Sequence, residues 1–244
     1  MLPLKNLDRR NSFPAVTMIL IAINATVFAY ELSLPPAGIR DLFMTYGLVP
    51  ANLVAGINGS GPLLDPLISI FTSIFLHAGW FHIIGNMWFL WVFGGDVEDH
   101  LGHLAYTGLY FAAGLAASIT QAAFTRTSHL PGIGASGAIS GVMAAFFLLF
   151  PHSRILTGIL LFWPRVRIPA FILVGWWFLI QFASGMSSLN AHGPERGGTA
   201  WWAHVGGFVV GFLCALPKRL RDPDSANFHP EDEPEPYVTS WRDT

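Results

Sequence analysis

Six stretches of this chain are mostly apolar over lengths close to a bilayer crossing, and that limits every other reading. They lie near residues 15–34, 80–95, 105–124, 135–151, 169–186 and 200–217. A spanning helix needs roughly 20 mostly apolar residues, because lipid offers no partner to an open backbone N–H or C=O. The expected fold class is therefore an all-α polytopic membrane protein with six transmembrane helices. The second, fourth and sixth stretches are short, or are lengthened by apolar flanks such as LLDPLISIFTSIFLHAG. Residues 38–79 are too long and too mixed for a plain loop. Short interfacial helices are expected there, with breaks at Pro50, Pro62 and Pro66.

Composition agrees. The chain is 52% hydrophobic and 11% charged, with mean hydropathy +0.49, where a soluble domain carries about 25% charged residues. Nine Trp and twenty Phe suit interfacial belts and lipid-facing surfaces. The expected surroundings are a lipid bilayer, and a net charge of −2 gives no argument for nucleic acid. The single Cys214 excludes an internal disulfide and a multi-cysteine metal site, and reads as a small buried hydrophobe. No cleavage pattern of a signal peptide follows the basic lead at 1–14.

Lysine and arginine set the orientation. With the N-terminus inside, the inner segments hold Lys5, Arg9, Arg10, Arg154, Arg165, Arg167, Lys218, Arg219, Arg221 and Arg242. The outer segments hold Arg40, Arg126 and Arg196. That bias places both termini in the cytoplasm. The domain reading is a lead at 1–14, a membrane domain at 15–217, and an acidic, Pro-rich tail at 218–244 expected to be disordered.

Polar side chains inside spans are costly and often mark function. One cluster is His77, His82 and Asn86; the last two are four residues apart and share a helix face. Ser136 opens the fourth span in PGIGASGAISGV, with Ser140 one turn later. His204 lies early in the sixth, on one face with Gly207 and Gly211. These glycines allow close backbone approach, as do Gly137 and Gly141 on the fourth. The second, fourth and sixth helices all enter from outside, and His82, Ser136 and His204 each lie in the first part of their helix. They are therefore expected at similar depth, a turn or two below the outer surface. Ser and His at matched depth on glycine-lined helices point to a nucleophile and its base. His77 suits capping or orienting the preceding segment, with a direct role in the site left open. His100 and His103 suit a solvated surface or helix-end roles, and His129, His152, His192 and His229 read as loop residues.

With those residues in view, the chain resembles the rhomboid family of intramembrane serine proteases. GASG at 134–137 resembles that family's GxSG motif, HAGWFHIIGN at 77–86 its HxxxxHxxxN pattern, and AHVGGFVVG at 203–211 its last-helix histidine with spaced glycines. YGLVPANL at 46–53 and VEDHLGH at 97–103 also look like bacterial members. The resemblance covers about residues 15–217. It implies a six-helix rhomboid-like bundle around a water-filled cavity that opens outward. It implies Ser136 as nucleophile and His204 as general base, with His82, Asn86 and the Ser136 amide holding the oxyanion. It also implies a capping loop at 187–199 and single-span membrane proteins as substrates. Two positions depart from the pattern. Ser140 stands where many members have an aromatic ring against the histidine, and no Trp-Arg pair occurs between residues 35 and 79.

The chemistry is coherent. A serine hydroxyl is a weak nucleophile until a base takes its proton, and histidine titrates near neutrality. No Asp or Glu lies within the fourth or sixth span to orient it, which leaves a Ser–His dyad oriented in some other way. No cofactor or metal is expected: there is no His-Glu pair for an HExxH zinc site. An aspartyl mechanism lacks a second intramembrane Asp on another span. A proton-relaying transporter would need polar residues along a full path, and the inner halves of the spans are nearly all apolar. The alternative function is an inactive relative that binds or escorts membrane clients, though such relatives lose Ser or His.

Overall fold

The structure is a computed structural model that describes residues 2–6, 12–160, 163–189 and 199–222. The tail beyond 222, most of the expected capping loop, His192 and His229 lie outside these residues. Helices stand at all six apolar stretches: α1 (Ala15–Ser33), α5 (Trp80–Leu101), α6 (His103–Phe124), α7 (Ser136–Leu149), α8 (Ala170–Leu189) and α9 (Trp201–Arg221). Three short helices fill the region between α1 and α5: α2 (Pro36–Tyr46), α3 (Pro50–Ile57) and α4 (Leu64–Thr72), the last running into a 3₁₀ turn at Ser73–Phe75. The prolines there begin helices more than they break them. Pro36 and Pro50 stand at first helical positions, where a missing N–H costs nothing.

By length and composition α1 and α8 are each able to cross a membrane. The α4 segment and α5 together form a third candidate, bent by 79° at the break before Trp80. The chain is thus a multi-pass, largely helical membrane protein. Exposed Ile19, Trp176, Leu179 and Phe182 give α1 and α8 apolar outer faces. Cys214, expected inside, is exposed on α9. It shares that outer face with Leu213, which a bilayer accommodates as readily as a core does.

One small sheet accompanies the largely helical fold. Three strands, β1 (Leu2–Asn6), β2 (Arg154–Leu160) and β3 (Trp163–Pro169), form an antiparallel sheet in the order β1-β2-β3. β2 and β3 pair from Arg154↔Pro169 to Leu160↔Trp163, and β1 pairs with β2 through Leu2↔Gly158 to Asn6↔Ile155. The sheet joins the end of α7 to the start of α8. Its strands are rich in Ile, Leu and Val, side chains that fit a pleated surface, and it draws the N-terminal lead into the fold.

A buried carboxylate locks the same end of the bundle. Glu98 on α5 is wholly buried. It accepts hydrogen bonds from the backbone N–H of Val16 (2.7 Å) and Thr17 (2.8 Å) and from the Thr17 hydroxyl (2.7 Å). Those amides are among the first of α1, whose own N-cap, Pro14, supplies no side-chain cap. Glu98 therefore caps α1 from another helix, where negative charge also suits the helix dipole. His103 Nδ1 lies 2.7 Å from the same carboxylate. Asn6 donates to buried Asp96 at 3.1 Å, and Ser12 contacts Asp99. These partners explain why α5 runs to Leu101, six residues past its expected end near 95. Likewise α9 passes through Pro217 to Arg221, into the expected tail.

At the centre α6, α7 and α9 pack at close range. A Cβ on Gly211 would collide with the Gly141 backbone, and one on Gly207 with the Gly137 carbonyl. A Cβ on Gly141 would meet both Ala113 Cβ and, at 3.0 Å, the Gly207 carbonyl. Small residues replace side-chain interdigitation with backbone contact, which is how membrane helices gain packing without a hydrophobic drive. Gly211→Val is expected to cost about 3 kcal/mol through overpacking, because the obstacle is backbone and cannot yield. Gly108→Ala, with nothing within 4 Å of its Cβ, is the control and is expected to be neutral or stabilising. Unfolding in mixed micelles checks both; equal stability of the two variants would contradict the close-packed seam.

Candidate active site

Helix α7 has 14 residues, which gives it a length of about 21 Å against a hydrocarbon core near 30 Å. The chain reaches its start through residues 125–135, and backbone bonds pin that loop. Leu48 and Gly132 exchange N–H···O bonds of 3.0 and 2.8 Å, and Gly134 N–H donates to the Ser73 carbonyl at 2.8 Å. Gly134 has φ +120°, a conformation that side chains rarely adopt, and a Cβ there would meet His82 Nε2 at 2.6 Å. Glycine at the first position of GASG is thus required twice, by its backbone and by its neighbour.

Ser136 is the first residue of α7. Its Oγ lies 2.8 Å from His204 Nε2 on α9. The two are 68 residues apart in sequence, and the α7–α9 glycine seam brings their backbones close enough to bond. His204 is 7% exposed, and three elements hold it. Ser140 Oγ donates to the His204 carbonyl at 2.6 Å, so the serine that replaces an aromatic ring fixes the backbone of α9. Gln181 Oε1, on α8, lies 2.7 Å from His204 Nδ1. The Trp177 ring, one turn earlier on α8, is 5.6 Å from the imidazole between ring centres, and Trp201 is 6.4 Å away. Sequence reasoning passed over Gln181. Its signal was available: a glutamine amid the apolar run AFILVGWWFLIQF.

His82 and Asn86 flank the Gly134 turn. Asn86 is buried, and its Nδ2 lies 2.9 Å from His77 Nε2. His77 Nδ1 sits 3.2 Å from the Phe75 carbonyl, which can only accept. The proton therefore belongs on Nδ1, so Nε2 accepts one Asn86 N–H and the second Asn86 N–H is left for another acceptor. Ala78 N–H donates to His82 Nδ1 at 3.4 Å. A neutral His82 then carries its proton on Nε2, the atom beside Gly134. Both groups thus present N–H donors toward the turn that precedes Ser136. His77 itself is 1% exposed, its ring packs edge-on against His82 with centres 5.0 Å apart, and its backbone N–H donates to buried Glu31 at 3.1 Å. It braces the other two.

Ser136 opens onto a cavity of about 850 Å³, lined also by Gly134, Ser118, Gln121, Phe124 and Trp202. These residues come from the end of α6, the loop before α7, and the start of α9. The cavity therefore lies at the end of the bundle opposite the sheet. Gln121 Oε1 also accepts the Ala203 N–H at 3.1 Å, tying α6 to the first turn of α9. Ser136 and Gly137 are at the start of α7, where amide N–H groups have no intrahelical partner and the dipole favours negative charge.

Fold and site together define a polytopic helical membrane protein in which a serine and a histidine lie 2.8 Å apart beside a cavity. The Rhomboid domain family matches residues 65–220, and the chain belongs to that family. Among similar proteins is Rhomboid protein 1, mitochondrial, of Saccharomyces cerevisiae, 33% identical over 150 residues that make up 60% of this chain and 40% of the relative. RHOMBOID-like protein 1 of Arabidopsis thaliana is 29% identical over 169 residues, 69% of this chain and 39% of the relative. The putative rhomboid protease YdcA of Bacillus subtilis is 26% identical over 212 residues, 86% of this chain and 92% of the relative. The chain thus spans about two-fifths of the yeast and plant relatives and nearly all of the bacterial one.

Proposed function

We propose that the chain is an intramembrane serine endopeptidase that hydrolyses peptide bonds in or near the outer end of substrate transmembrane segments. The observation that carries this reading is the 2.8 Å contact between Ser136 Oγ and His204 Nε2 at the edge of a large cavity. Ser136 attacks the scissile carbonyl while His204 Nε2 takes its proton. His82, Asn86 and the Ser136 N–H donate to the oxyanion. His204 then returns the proton to the leaving amine, and water, activated by the same imidazole, releases the acyl group. An escort protein would have no use for an aligned serine and histidine.

The six helices α1 and α5 to α9 are read as six spans, with both termini cytoplasmic on the lysine and arginine bias. A bacterial type and a plasma-membrane location belong to the same proposal, on the likeness of YGLVPANL and VEDHLGH to bacterial members. Substrates are single-span membrane proteins.

A stable helix hides its carbonyls in i to i−4 bonds, so a cleavable span must open locally. In liposomes, a single-span substrate with Gly or Pro near its outer end is expected to be cut. A Leu-rich version is expected to bind and stay intact. Equal cleavage of the two refutes this mechanism of access, and cleavage of neither, with binding retained, refutes the protease reading.

A further inference from the structure

We infer that Gln181 is a positioning residue for His204, fixing the imidazole's tautomer so that Nε2 faces Ser136 with its lone pair; this rests on the dyad reading above. The amide's own orientation is settled by its neighbours. Gln181 Nε2 donates to the Trp177 carbonyl at 3.3 Å, which leaves Oε1 to face His204 Nδ1 at 2.7 Å. A carbonyl oxygen can only accept, so the imidazole proton must sit on Nδ1. In a neutral ring Nε2 is then the acceptor, and it is the nitrogen 2.8 Å from Ser136 Oγ. One side chain on a third helix thereby chooses which nitrogen serves as base.

The placement argues that the polarity of Gln181 has a purpose. The buried residues of α8 are Ala170, Val174, Gln181 and Gly185, so its inward face is otherwise small and apolar. Its neighbours Leu179, Ile180 and Phe182 face outward. A Leu or Met would fill the same space without the cost of dehydrating an amide. A carboxylate, the usual orienting group in serine hydrolases, would carry a net charge into the bundle at a cost of desolvation. A neutral amide accepts the same bond without that charge. When His204 takes the serine proton, Nδ1–H still donates to Oε1, and a hydrogen bond from a charged donor is stronger than the one it replaces. The contact therefore gains strength along the reaction coordinate, which is what lowers a barrier.

The test uses the full chain in lipid nanodiscs, with Gln181→Leu and Gln181→Met removing the acceptor and Gln181→Glu keeping it. Ring ¹⁵N shifts of His204, assigned by difference from His204→Ala, report the tautomer without any turnover. The wild type is expected to hold its proton on Nδ1, and the Leu and Met variants to show a tautomer mixture. With a membrane-anchored substrate, kcat is expected to fall roughly 10- to 100-fold in both. KM should stay within about twofold, since no substrate contact is lost. Gln181→Glu is expected to restore kcat at least several-fold over Leu. An unchanged tautomer in the Leu and Met variants overturns the inference. So does an equal kcat loss in all three variants that tracks lost thermal stability, which would assign Gln181 to packing alone. Undiminished cleavage by Ser136→Ala would sink the dyad reading instead, and the tautomer would still be read.

Discussion

Ser136→Ala is expected to lower cleavage of a membrane-anchored substrate by about 10⁴-fold or more, with His204→Ala costing a similar factor. Each removes a member of one proton-transfer unit, so the losses do not add. The double variant should be no slower than either single variant by more than a few-fold, and that failure of additivity is the signature of the pair. Ser136 is half-buried and its Oγ meets His204 Nε2, so its truncation leaves little packed volume empty. The melting temperature of Ser136→Ala should therefore stay within a few degrees of wild type. A fluorophosphonate that labels wild type should leave Ser136→Ala unmodified and react slowly with His204→Ala. Losses that multiply in the double variant, or labelling that survives in Ser136→Ala, would show that the two side chains do not work as a base and its nucleophile.

The residues at this site were readable because they break a rule. Ser136, His82, Asn86 and His204 are polar in runs that lipid would keep apolar, and helix direction with position along the helix led to the expectation of a shared depth for Ser136, His82 and His204. Gln181 breaks the same rule, yet alone on its helix it offered no cluster to notice. Contacts decided by distant backbone were beyond reach. Glu98 sits in GGDVEDHL, which has the composition of a solvated connection. It is buried because Val16 and Thr17, about 80 positions earlier, need a cap that Pro14 withholds. Glu31 is 2% exposed near the end of the first span, and its reason is the N–H of His77, 46 residues on. The sheet was missed for a different cause. Its strands β2 and β3 lie between two spans, where charge invited a loop reading, and their pairing with residues 2–6 is a long-range choice that no local pattern announces.

Asn86→Ala is expected to reduce kcat by roughly 10²- to 10³-fold while KM changes little, the cost of one lost oxyanion donor. Two amide hydrogens of Asn86 decide the effect. One Asn86 N–H is held by His77 Nε2 at 2.9 Å, which locks the amide plane. The other is then aimed without rotational freedom, and a donor fixed before reaction costs nothing to reorganise during it. His77→Ala should act through this brace alone. It leaves both donors in place and lets them wander, so a loss near tenfold is expected, smaller than for Asn86→Ala. His82→Ala removes the second donor directly and should fall in the range of Asn86→Ala. None of the three should prevent fluorophosphonate labelling as fully as Ser136→Ala, since the nucleophile and its base remain. Steady-state kinetics on all three, with binding measured separately on the Ser136→Ala background, separates transition-state from ground-state effects. A kcat loss under about threefold for Asn86→Ala would remove it from the oxyanion site, and a loss carried wholly by KM would recast it as a substrate-binding group.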